Sequence, residues 1–139
     1  MGTWGAGSFD NEDALDFVAE LTGVKGWRAV RDVLGEPNDA PDELDGAYIL
    51  AAAHVVAAVN EAPGAGLPEA VAGWVTMNRD ESRGELIHEA LAAVSVVANE
   101  DSGLRRLWES TDATEWLASV ADLSARLQRA ASAQRGPLE

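Results

Sequence analysis

Apolar residues along the chain recur at steps of three and four almost everywhere, and the alternation that makes strands is rare. Ala14, Phe17, Val18 and Leu21 fall at i, i+3, i+4 and i+7, which predicts one apolar stripe on a helix over about 11–22, stopped by Thr22-Gly23. A second helix is predicted over about 24–34, with Trp27, Val30 and Leu34 on one side and Gly35-Glu36-Pro37 ending it. The next, over about 42–61, contains "AYILAAAHVVAAV" and is apolar on nearly every face, so it belongs at the centre of a bundle. Its alanines let neighbouring helices approach closely. Pro68 suits the first turn of a helix running to about Asn78, with Val71, Trp74 and Val75 facing inward.

Beyond residue 80 the same period continues. A helix over about 81–99 carries Leu86, Ile87, Ala90, Leu91, Val94 and Val97. "NEDSG" breaks the chain, and Asp101 and Ser102 read as the N-cap of a short helix holding Leu104, Leu107 and Trp108. The last helix opens at Asp112 with Glu115 three residues on, a capping-box spacing. Trp116, Val120, Leu123, Leu127 and Ala130 then follow at steps of four and three, the narrow seam of helix-on-helix packing. Arg126 and Arg129 read as cations near its C-terminal end, where they complement the helix dipole. Trp108 and Trp116 read as anchors in the core or at a subunit interface. The expectation is an all-α, single-domain bundle of six or seven helices over 1–137, with Leu138-Glu139 resembling the scar of an expression tag.

Charge changes the picture more than composition does. The chain has 139 residues, 24 acidic against 10 basic, and a formal net charge of −14. No Lys or Arg occurs before Lys25 or between Arg31 and Arg79, while acids are spread through both stretches. Such a field repels phosphate backbones and argues against nucleic acid; it favours a basic protein patch or cations. There is no cysteine, hence no disulfide framework and no thiolate metal site. The longest apolar run, 47–59, is too short to span a membrane and is interrupted by His54. With no basic-then-apolar leader at the N-terminus, a cytoplasmic location is expected.

Two constellations carry candidate chemistry. In "GTWGAGSFDNEDALDF" (2–17), Asp10 reads as a helix N-cap, Asp13 as its reciprocal partner, and Phe9 as a staple just ahead of the cap. Glycines 2, 5 and 7 permit a bent approach that folds Trp4 back onto the bundle. The competing reading gathers a hard cation with Asp10, Asn11 and Asp13, though nothing there fixes a ligand count. The second constellation is "ELIH", a Glu-x-x-His pair of Glu85 and His88 on one helical face, half of a di-iron carboxylate site. His54 has Ala51 at i−3, so the other half is missing; a mononuclear site of His54, His88 and Glu85 is what remains. Against it stands the plainer reading of two boundary histidines. Because bases are scarce, Arg105 or Arg106 is expected to pair with Asp10, Asp13, Asp16 or Asp101.

The opening stretch resembles the signature of DUF4259, a family of small bacterial proteins with no assigned activity. Trp4, Gly5, Gly7, Phe9, Asn11, Ala14 and Asp16 match its pattern, Glu12 stands at its second acid, and Phe17 replaces its final Trp. The resemblance continues through "LAAAHVVAA" (50–58) and "NEDSGLRRLWES" (99–110), and departs at His54, where the family more often has an acid. It carries no activity, cofactor or substrate with it. The residues themselves favour a non-enzymatic, immunity-like interaction module with a basic protein partner. The alternative is a metal-dependent enzyme or metal-binding protein; a homodimer is compatible with either.

Overall fold

The computed structural model describes residues 9, 12–23, 26–35, 43–60, 68–78, 84–99 and 102–135. Among them the regular elements are seven helices: α1 (Glu12–Thr22), α2 (Trp27–Leu34), α3 (Glu43–Asn60), α4 (Glu69–Asn78), α5 (Gly84–Val97), α6 (Gly103–Glu109) and α7 (Thr114–Arg135). The all-α bundle read from the spacing is the observed fold.

α3 is the axis of the bundle, touching α1, α2, α4, α5, α6 and α7. Its run Ala51, Ala52, Ala53, Val55, Val56 and Ala57 is fully buried, as expected for a helix without a polar face. Small side chains set the spacing. At Gly46 a Cβ would lie 2.9 Å from the Leu104 Cβ, so the absent side chain is what lets α6 seat against α3. The predicted stripe of α1 and the seam of α7 both face this axis: Ala14, Phe17, Val18 and Leu21, then Trp116, Val120, Leu123, Leu127 and Ala130, are all buried.

Three helices finish in the same way. Thr22, Asn60 and Asn78 each turn a side-chain donor back to the carbonyl four residues earlier, on Val18, Val56 and Trp74 at 2.8–2.9 Å. Each bond adds a second donor to a carbonyl of the last turn that its own helix ladder already reaches, the back-bonding that short polar side chains make in helices. At the other end of α6, the buried Ser102 hydroxyl accepts from the Arg105 amide at 3.3 Å, the predicted cap. The Asp112 carboxylate accepts from the Thr114 amide at 3.0 Å and is held below its ordinary pKa by that bond.

Three expectations are corrected. α2 begins at Trp27 and not at 24, because Gly26 takes a left-handed φ of 53° that a helical residue does not adopt. Leu107 is 43% exposed: seven residues make barely two turns, which bury Leu104 and half-bury Trp108 and leave Leu107 outside. α7 runs to Arg135, which puts Arg126 in mid-helix, away from the terminal carbonyls it was expected to face.

Candidate functional site

Among the described residues, His54 is a titratable group largely enclosed by the helices. It sits on α3 between buried Ala53 and Val55, and the period of α7 brings Arg126, between Leu123 and Leu127 of the seam, to face it. The Arg126 guanidinium lies 3.2 Å from His54 Nε2. A guanidinium only donates, so Nε2 is the acceptor and the imidazole proton resides on Nδ1. Nδ1 is buried and finds no hydrogen-bond partner among the described residues. The third wall is Phe9, itself buried, whose ring centroid is 5.2 Å from that of His54.

Burial first, and then the Arg126 charge, lower the His54 pKa to about 4 from 6.5, with Asp122 opposing them. The imidazole is therefore neutral at neutral pH and a weak base. Its outer lone pair is occupied by a cation, a poor start for holding a metal ion. His88 is exposed on α5, and the Glu85 side chain lies outside the described residues. Among the described residues no three His, Cys, Asp or Glu side chains are grouped to hold an ion; the proposed set of His54, Glu85 and His88 includes a side chain outside them.

A second polar region lies on α1. Asp13, Asp16 and Glu20 occur at i, i+3 and i+7, which aligns them along one side of the helix. All three raise the pKa of Tyr48 on α3, after burial, which raises it most. Tyr48 is fixed by Phe17, edge to face at 5.9 Å. The aligned carboxylates thus act electrostatically on one phenol at the α1–α3 junction. Asp16 is exposed, Asp13 and Glu20 half-buried.

Other expected site residues serve the fold. Arg105 donates to the Ala98 carbonyl at 2.6 Å and pairs with Glu109 at 2.9 Å, one turn along its own helix; of the acids expected to meet Arg105 or Arg106, Asp10 and Asp101 lie outside the described residues. Trp108 packs half-buried on the core. Trp4, Gly5, Gly7, Asp10, Asn11 and Asp101 lie outside the described residues. Between α5 and α7 runs a cleft of about 370 Å³, walled by Val94, Ala98, Leu117 and Val120, with Ser95, Arg105 and Ser124 as its polar lining. Its one charged group is engaged by Ala98 and Glu109.

The profile of DUF4259, described as a domain of unknown function, matches residues 2–119. The chain belongs to the DUF4259 family. That match takes in Phe9, α1 and the whole of α3, and stops within α7 before Arg126. No curated protein and no solved structure matches this DUF4259 chain. The Arg126–His54 pair thus joins a helix within the family match to a residue beyond it. From the sequence Arg126 reads differently, as a cation complementing the end of the last helix. A lone histidine in an alanine-rich helix was the available signal that something polar must come to meet it.

Proposed function

We propose that this DUF4259 chain is a non-enzymatic interaction module, immunity-like in kind, that presents an acidic helix face to a basic partner protein. The observation that carries the reading is the row of Asp13, Asp16 and Glu20 along one side of α1, whose charges are felt at Tyr48. A phenol on the helix beside such a row of carboxylates supplies an aromatic surface for the stem of a lysine or arginine and charges for its head, the two contacts that cationic hot-spot residues use. The net charge of −14 adds long-range attraction for such a partner and raises its rate of encounter.

Affinity capture from lysate at low and at high ionic strength tests this. A partner retained at low salt, eluted by high salt, and lost from the triple variant Asp13→Asn, Asp16→Asn, Glu20→Gln is the expected result. Equal capture by the wild type and the triple variant would remove the α1 face from the reading.

A further inference from the structure

The cleft between α5 and α7 takes its shape from two rows of side chains. On α7, Leu117, Val120, Ala121 and Ser124 fall at i, i+3, i+4 and i+7, so they share one side of the helix. Seven residues of helical rise make that row about 10 Å long. Val94, Ser95 and Ala98, along α5 and just past its end, line the cleft with them. Its volume of about 370 Å³ lies within the range of small-molecule sites.

Arg105 reaches the cleft from α6 with its head already anchored. Nε donates to Glu109 at 2.9 Å and Nη1 to the Ala98 carbonyl at 2.6 Å, while Nη2 is in neither bond. A guanidinium carries five N–H donors, so two bonds leave donors over. A head held at two atoms has less rotamer freedom to lose when it meets an anion. The lining contains this one cation and no acid, in a chain where acids outnumber bases 24 to 10, and Glu109 is not part of it.

We propose that the cleft binds a medium-chain monocarboxylate, its head on Arg105 and its alkyl chain laid along Val94, Val120 and Ala121. A singly charged head suits the single amino group left over. A phosphate would bring nearly twice the charge and more oxygens than that group can pair, close to Glu109. A zigzag of carbon–carbon bonds of about 1.5 Å advances about 1.25 Å per carbon, so about eight carbons span the row. Ser124, half-buried, and Ser95, exposed, mark where the chain returns to water. The site shares no residue with the α1 face, so the two readings stand or fall separately.

Titration of the full chain with butanoate, octanoate and octanol, followed by backbone amide NMR shifts, tests the proposal. Octanoate is expected to shift Val94, Ala98 and Val120 saturably, with a Kd of about 0.1–1 mM. Butanoate, with less chain to bury, is expected to bind at least about tenfold more weakly. Octanol keeps the chain without the charge and is expected to be about tenfold weaker than octanoate; Arg105→Gln lowers octanoate affinity about tenfold and leaves octanol unchanged. Ala121→Trp fills the cleft from an exposed position that makes neither Arg105 bond. It is expected to abolish the shifts with melting intact, and it decides the matter if Arg105→Gln loosens α6. No saturable shift with octanoate up to about 10 mM would overturn the proposal. Octanol binding as tightly as octanoate, shifts confined to another face, or an Ala121→Trp variant that binds like the wild type would do the same.

Discussion

α3 and α4 are both apolar on nearly every side, and the bundle treats them differently. α3 is enclosed by six helices, so its all-round apolar surface is spent within one chain. α4 packs on α3 and α1 and leaves Ala70, Gly73 and Met77 in water. An apolar circumference therefore does not by itself place a helix at the centre; length and the number of neighbours do. Their glycines divide in the same way. Gly46 of α3 is filled from outside by Leu104, whereas Gly73 of α4 faces empty space.

That contrast is broken most severely by charge. Ala52→Asp puts a carboxylate into a fully buried position on α3 and is expected to cost more than about 4 kcal/mol. Denaturant titration checks it, and a cooperative fold of near wild-type stability would contradict the central placement of α3. Next comes His54, the titratable group within the buried run of α3. Its folded pKa of about 4 lies below the unfolded value of 6.5, so the unfolded chain takes up the proton first. Stability from this source is intact above pH 6.5 and is lost as pH falls toward 4. The loss is about 3 kcal/mol, and it is absent from His54→Gln. Parallel pH–stability curves for wild type and variant would refute the burial of His54.

The glycines give the smaller effects. Gly46→Ala gains about 1 kcal/mol of helix propensity but pushes its methyl into the Leu104 Cβ; a net loss of about 1 kcal/mol is expected, read as a lower Tm. Gly73→Ala has the same gain with nothing to strike, and is expected to stabilise the monomer by about 0.5–1 kcal/mol. Opposite signs for the same substitution on the two helices would express the comparison in a single pair of melting curves.

The fold was legible where a period ran long enough to define a face. The four inward residues of α1 and the five of the α7 seam stood in the sequence as they stand in the core. Short or shared elements were less so. α6 is too brief for its period to separate Leu104 from Leu107, and the delayed start of α2 depends on the φ of Gly26, which a glycine's presence permits without dictating. The polar geometry was the least legible part. Arg126 turns inward because of a histidine 72 residues away, and no local pattern encodes that distance. Asp13, Asp16 and Glu20 were visible as acids, but their effect on Tyr48 depends on how α1 lies across α3.

α6 has a consequence for how the bundle closes. Seven residues are too few for a helix to persist in water, since nucleation costs more than so short a run returns. It is held by what surrounds it: Ser102 grips its first turn, Arg105 ties it to the carbonyl of Ala98, and Leu104 plugs the gap left by Gly46. α6 is thus a stopper more than a strut. Its order is conditional on α3 and α5 being in place, and wherever it is formed it certifies that they are.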